Sequence, residues 1–240
     1  PIQGGAGTSL NMNANEVIAN RAIELLGGNK GDYSIINPND DVNCSQSTND
    51  VIPTAGKMTS LRLLKNLKHE LLQLHGALCK KAEEFNDVIK MGRTQLQDAV
   101  PIRLGQEFRA YSVAIMRDIH RMEKAMGEMR TLNLGGTAVG TGLNADEAYL
   151  HRIVPILSEV SDMDLAQAYD LIDATQNLDV FVAVSGAVKA CAVTLSKIAN
   201  DLRLMSSGPR AGLAEINLPA KQNGSSIMPG KINPVIPEVV

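Results

Sequence analysis

Leu61, Leu64, Leu67, Leu71, Leu74 and Leu78 recur at spacings of three and four residues, which is the repeat of one face of an α-helix. Two further segments carry the same pattern. One runs Phe108, Tyr111, Ile115, Ile119, Met122, Met126, Met129; the other runs Leu178, Phe181, Ser185, Val188, Ala192, Leu195, Ala199, Leu202. Three long one-sided apolar stripes cannot be buried singly, so they predict an all-α fold built as a long-helix bundle. Composition supports this. Aromatic residues make up 3% of the chain and Trp is absent, so the core is drawn from Leu, Ile, Val, Met and Ala, which favours helices over sheets.

The expected helices cover residues 13–26, a long stretch starting near 51–54, then 104–130, 145–160 and 175–205. Thr8, Ser9 and Asn11 are cap candidates for the first, and Gly27-Gly28 stops it. Residues 31–50, 92–98 and 135–144 read as polar loops, and no alternating strand longer than a few residues is expected. The last helix would span about 45 Å and present more apolar face than a chain of 240 residues can cover. Self-association is therefore expected.

Several classes are disfavoured. The net charge of -3 gives no basic footprint, so no nucleic-acid partner is expected. No uninterrupted apolar run approaches the length of a bilayer span, so no membrane partner is expected either. There is no N-terminal signal pattern. Cys44, Cys79 and Cys191 are odd in number and widely spaced, which argues against disulfides or a zinc site and predicts a cytoplasmic location. The chain opens on Pro1 without Met and closes at Val240 within structured-looking sequence, so it reads as a piece of a longer protein.

Polar residues gather in four stretches: 7–13, 43–50, 92–99 and 224–234. Three of them lead into helix N-termini, where unpaired N–H groups and the helix dipole favour an anion. Capping needs one side chain, whereas Asn43-Cys44-Ser45-Gln46-Ser47-Thr48-Asn49-Asp50 supplies seven polar ones. A binding surface for a small polar anion explains the surplus. The stretch 92–99 also reads as a solvated loop with an Arg93–Asp98 pair. In the last stretch Gly224 and Gly230 bracket Ser225 and Ser226, and Lys231 and Asn233 precede a new helix. That suits a mobile lid with glycine hinges.

His69, His75, His120 and His151 all fall in expected helices, away from these clusters, so a Ser-His-Asp hydrolase is poorly supported. Gly140-Thr141-Gly142-Leu143-Asn144-Ala145 fits a dinucleotide fingerprint, but a helix rather than a strand precedes it. No metal-ligand spacing is present.

Taken together, these stretches resemble the aspartase/fumarase superfamily, in family order across nearly the whole chain. Gly224-Ser225-Ser226-Ile227-Met228-Pro229-Gly230-Lys231-Ile232-Asn233-Pro234 resembles its signature loop. Gly7-Thr8-Ser9-Leu10-Asn11-Met12-Asn13, Ser45-Gln46-Ser47-Thr48-Asn49-Asp50 and Gly135-Gly136-Thr137-Ala138-Val139-Gly140 resemble other family segments. Gly-Thr-Ser at 7–9, Gln95 after Gly92-Arg93-Thr94, and the run 233–240 are closer to the aspartase branch than to fumarases. Leu10 departs from the Thr common in aspartases. Argininosuccinate and adenylosuccinate lyases match less well.

The resemblance implies reversible elimination of ammonium from L-aspartate to give fumarate. Ser225 would be the general base. Thr8, Ser47, Thr48 and Ser226 would stabilise the enediolate, Lys231 and Asn233 would hold the other carboxylate, and Asn49, Thr94 and Gln95 would face the amino group. It implies no cofactor, with a divalent cation acting as an activator only, and a homotetramer whose sites draw on more than one subunit. Residues 1–50 would be the remnant of an N-terminal domain and 51–240 the central helical-bundle domain, with the C-terminal domain absent. The alternatives are a fumarase acting on malate, and a truncated, catalytically inactive oligomerisation core.

Overall fold

The leucine stripe forms one face of a continuous helix. In the computed structural model, which describes residues 5–240, α2 runs Thr48–Glu84, and Leu61, Leu64, Leu71 and Leu78 are buried along it. The chain begins with α1 (Thr8–Leu25) and a π-helical turn at Pro38–Val42 before α2. A hairpin of β1 (Ile89–Thr94) and β2 (Gln97–Arg103) then leads into α3 (Leu104–Met129). After these come β3 (Thr131–Leu132), α4 (Glu147–Ser161), β4 (Ala166–Gln167), α5 (Leu171–Gln176), α6 (Asp179–Met205) and α7 (Val235–Val239). Residues 1–4, the start of the expected N-terminal remnant, lie outside the described residues.

The chain divides into two compact units, Pro1–Lys65 with Ala125–Ala183 and Asn66–Lys124 with Val184–Val240. The division falls within α2, α3 and α6. In the first unit, Ile23, Leu61, Leu64, Met129, Leu132 and Val154 are buried, and β3 pairs with β4 in parallel. In the second, Leu71, Leu78, Phe108, Ile115, Ile119 and Met122 are buried. Phe108 there meets Phe85 and Tyr111 edge-on, at centroid distances of 5.2 and 5.8 Å, the arrangement favoured by ring quadrupoles.

Four sequence expectations change. α1 starts at Thr8 rather than 13, because Gly7 takes φ +93 and turns the chain into the helix. A Cβ on Gly7 would also lie 2.9 Å from Ile52. α2 starts at Thr48, so Pro53 lies inside the helix rather than at its beginning. The expected 175–205 helix is two helices, because Asn177 is extended and the side chain of Asp170 caps α5 separately by accepting from the Ile172 and Asp173 amides. The stretch 92–98 is part of the β1–β2 hairpin rather than a loop.

The α6 seam also differs. Ala187, Cys191, Ile198, Ala199 and Met205 are the buried positions, and only Ala199 belongs to the expected stripe. A helix apolar on more than one face offers several seams, and periodicity cannot choose among them. Val182 and Val193 remain exposed. By length and composition alone α6 could cross a membrane, with a mean hydropathy of 1.5 over its most apolar stretch. A search for uninterrupted runs passes it over because Lys189 breaks it.

Ile115 is 0% exposed, so truncating it leaves a cavity. Ile115→Ala should lower unfolding stability by about 2–5 kcal/mol in urea titration, with little change in helical circular dichroism under native conditions.

Candidate functional site

In the first unit the site is built around the N-terminus of α2. Ser47 is the residue before the helix, and its Oγ accepts from the Asn49 amide at 3.1 Å. Asp50 reaches back to the Ser47 amide at 3.0 Å, which closes a capping box. The other oxygen of Asp50 accepts from the Gly135 and Thr137 amides at 3.2 and 3.0 Å. One carboxylate, 0% exposed, therefore holds both the helix start and the 135–142 loop. Burial raises the Asp50 carboxyl above its ordinary value, and the backbone amides oppose that shift.

Pro53 has no N–H to give the carbonyl of Asn49, four residues earlier. The buried Asn133 side chain supplies the missing donor, Nδ2 to Asn49 O at 3.0 Å. It also donates to Thr175 Oγ1 at 3.2 Å. Asn49 Nδ2 in turn donates to Ala138 O at 2.8 Å. Thr48 Oγ1 accepts from the buried Asn11 at 3.2 Å, and Asn11 and Asn15 both donate to Asn43 Oδ1, at 3.1 and 3.0 Å. Thr8 is exposed at the first position of α1. Burial pushes the Tyr149 phenol up to about 12, with the Asp50 charge adding to the shift.

The chemistry of this end follows from its lone pairs. Ser47 Oγ and Thr48 Oγ1 each accept one N–H, and neither hydroxyl donates within the described residues, so both O–H groups are available as donors. Asn49 donates one of its two side-chain N–H groups to Ala138 O, and its Oδ1 remains an acceptor. The first turn of α2 thus offers donors to a carboxylate where the helix dipole is positive. The sequence places Ser47, Thr48 and Asn49 here and marks Asp50 and Asn11 within its polar stretches without a site role, whereas Asn133 and Asn15 carry no such mark. The signal for Asn133 was Pro53, whose missing N–H obliges some other donor.

In the second unit Thr94 ends β1, and Gln95-Leu96 forms the two-residue hairpin turn, since Thr94 pairs with Gln97. Gln95 and Leu96 take φ values of 52 and 63, as a type I′ turn requires. Neither is a turn former, and such strain in non-glycine residues gathers at functional sites. Arg93 lies 3.8 Å from the exposed Asp98, but its close partner is Glu215, with Nη1 to Oε1 at 2.8 Å. Lys90 Nζ lies 2.8 Å from Glu107 Oε2 and 2.9 Å from Glu215 Oε2. The latter is a close ion pair without hydrogen-bond alignment.

The signature loop is pinned at its stem. Gly224 N donates to Lys231 O at 2.8 Å, and Asn233 N to Gln222 O at 2.9 Å. A Cβ on Gly224 would meet the Lys231 side chain at 2.9 Å, so this glycine serves close packing. Gly230, at φ +82, is the one that needs the left-handed region. Ser225, Ser226 and Lys231 are exposed and Asn233 is half-buried. Lys231 and Asn233 line a cavity of about 610 Å³ with Arg203, Ile216, Asn217 and Leu218. Among the described residues, no three of His, Cys, Asp and Glu gather as a metal-ligand group.

Two outcomes test this geometry. Asn133→Ala leaves the Asn49 carbonyl without its donor and should cost about 1–3 kcal/mol in thermal or urea unfolding, with faster amide exchange at 47–54. For Glu215, burial raises the carboxyl, but Lys90 and Arg93 outweigh it and hold the group below its ordinary 4.5. Its stabilisation is therefore complete above that ordinary value and is lost as pH falls through the depressed one. The stabilities of the native chain and Glu215→Gln should differ at neutral pH and converge in acid.

A family model described as "Lyase" matches residues 1–240. The aspartate ammonia-lyase of Bacillus subtilis (strain 168) is 59% identical over 240 residues, covering 100% of this chain and 50% of the relative. That of Helicobacter pylori (strain ATCC 700392 / 26695) is 57% identical over 239 residues, covering 100% and 51%. Among solved structures, a fumarate lyase:delta crystallin from Brucella melitensis bound to cobalt superposes with a TM-score of 0.95 at 57% identity, covering 98% of this chain and 51% of that one. A class II fumarase from Schistosoma mansoni superposes with a TM-score of 0.92 at 37% identity, covering 98% and 53%. The chain spans about half the length of the curated relatives it matches.

Proposed function

The chain belongs to this lyase family, and on that premise we propose that it carries the central helical domain and most of the active-site segments of an aspartate ammonia-lyase, which interconverts L-aspartate with fumarate and ammonium. The observation that carries the reading is at the start of α2. Ser47 Oγ and Thr48 Oγ1 each accept one protein N–H, and each keeps an O–H that can be donated to an oxyanion. Identities of 59% and 57% to aspartate ammonia-lyases, against 37% to a fumarase structure, favour aspartate over malate.

The elimination must remove a weakly acidic proton from C3 of the substrate. Charge then passes to the adjacent carboxylate as an enediolate, and preorganised donors around it supply most of the stabilisation. We assign that role to Ser47 and Thr48 with Thr8 and Ser226. Ser225, ionised to its oxyanion with Lys231 and backbone N–H groups stabilising the charge, takes the proton and becomes the neutral hydroxyl, and the enediolate then collapses to fumarate as the amine leaves. Lys231 and Asn233 hold the second carboxylate. Asn49, through its uncommitted Oδ1, faces the departing amine with Thr94 and Gln95. No cofactor enters these steps, and a divalent cation acts as an activator only.

We further infer a homotetramer working in the cytoplasm. The exposed apolar positions of α6, Val182 and Val193 among them, support packing against copies of the same chain, and three unpaired cysteines suit a reducing compartment. Residues 1–50 are assigned to an N-terminal domain and 51–240 to the central bundle.

The test uses the gene product that contains this chain, supplied with L-aspartate or L-malate while fumarate is followed by its ultraviolet absorbance. Release from L-aspartate is expected, and turnover of malate alone would sink the assignment. Ser225→Ala should abolish turnover with an unchanged melting temperature, and light scattering should report a tetramer.

A further inference from the structure

The cysteines of the chain lie in three different surroundings. Cys44 is exposed, and its sulfur lies 4.0 Å from the Ser45 hydroxyl, which is no base. Cys191 is 2% exposed, and burial together with the Asp118 charge pushes its thiol up. Among the described residues, Cys79 alone has an imidazole within reach. Its Sγ lies 3.6 Å from Nε2 of His75, and the residue is half-buried.

His75 and Cys79 are one turn apart on α2, so they share a face of that helix. The imidazole is held through its other nitrogen. Nδ1 lies 2.9 Å from the carbonyl oxygen of Ser112 on α3. A carbonyl only accepts, so Nδ1 carries the hydrogen of this contact. In the neutral ring that leaves Nε2 as the nitrogen with the lone pair, and Nε2 is the one beside the thiol. Ser112 is 2% exposed, so water competes little for the anchor. Joining the two helices needs only the bond from His75 to Ser112. The sulfur beside Nε2 adds a path for a proton. A nucleophile, a base within hydrogen-bond reach and a third group that orients the base make the arrangement that activates thiols.

We propose that Cys79 is a modification site, a thiol that His75 activates toward a small hydroperoxide. Nε2 takes the thiol proton as the sulfur attacks one peroxide oxygen. The S–O bond forms and the O–O bond breaks. Nε2–H then gives the proton to the departing hydroxide, so the products are a cysteine sulfenic acid and water. Sulfur is oxidised and the peroxide is reduced. The peroxide must be small because the sulfur is half-buried where α2 meets α3. A second thiol can reverse the change by way of a disulfide. The inference stands apart from the lyase reading, since neither residue belongs to the segments assigned to substrate.

The test uses the gene product that contains this chain, fully reduced and pulsed with hydrogen peroxide in the presence of dimedone, which captures sulfenic acids. Peptide mass spectrometry reports each cysteine separately. Cys79 should label first, ahead of the more exposed Cys44, with Cys191 last. His75→Gln keeps an N–H for the Ser112 carbonyl and removes the base. It should slow Cys79 about 100-fold, the lower end of what a positioned base contributes, while Cys44 in the same sample keeps its rate. Alkylation by iodoacetamide, which needs the nucleophile but no oxidant, should show the same order and the same loss. Faster labelling of Cys44 than of Cys79 in the native protein would overturn the proposal. So would an unchanged Cys79 rate in His75→Gln. If Cys191 becomes reactive in that variant, packing has been lost, and the order of labelling in the native protein decides alone.

Discussion

The geometry of the first unit depends on a carboxylate that water does not reach. Asp50 is a charge in a place that disfavours charge, and it is tolerated because three backbone amides converge on it. Those amides come from the residue before α2 and from the 135–142 loop, so its satisfaction and the juxtaposition of the two segments are one event. A change that draws the loop away also leaves the carboxylate unpaired. The asymmetry is steep, because the net gain from such a contact is modest whereas leaving a buried carboxylate unpaired costs its full desolvation penalty. The hydroxyls of Ser47 and Thr48 inherit their placement from this arrangement rather than from packing of their own.

The second unit reaches similar precision by other means. Its hairpin turn is made of residues that do not favour the conformation they adopt, and its ladder is interrupted by a bulge where Ala99 and Val100 of β2 stand opposite Gly92. Neither feature is cheap in isolation. Both are held by ion pairs at the root of the hairpin, where Lys90 and Arg93 meet Glu107 and Glu215. Local strain and long-range pairing are matched here, as is usual where geometry serves chemistry.

The legible part of the fold was the part set by periodicity. The stripes of α2 and α3 are buried largely as their spacing predicts: α3 has a single strongly apolar face, and in α2 the leucine repeat marks the buried side although Leu63 and Leu72 stay exposed. α6 was legible as a helix but not as a seam, since residues on several of its faces are apolar. The β1–β2 hairpin was not legible at all. Its turn carries Gln95-Leu96 in place of Asn-Gly, and its strands lack clean alternation, so composition gave no warning. Polar clusters drew attention to Ser47, Thr48, Thr94 and Lys231, but the residues that hold them, Asp50, Asn133 and Glu215, look like ordinary capping, loop and surface residues in sequence. Their roles follow from contacts made 84 and 85 positions along the chain for the first two, a separation that local reading does not reach. The assignment of Ser225 as base came only from resemblance, because an exposed serine on a glycine-flanked loop has no local feature that marks it as one.

α6 poses a separate physical problem. A helix of this length and apolarity partitions well into any non-aqueous phase, whether protein or hydrocarbon, and a newly made chain must be kept from the wrong one. Lys189 lies near the middle of its most apolar stretch, and a lysine at the centre of a bilayer span raises the cost of insertion by about 2.5–3.5 kcal/mol. Against protein the same side chain can extend its charged end to the surface while its stem stays in contact. The lysine thus adds to the cost of placing this helix in hydrocarbon while leaving intact the apolar faces with which it packs.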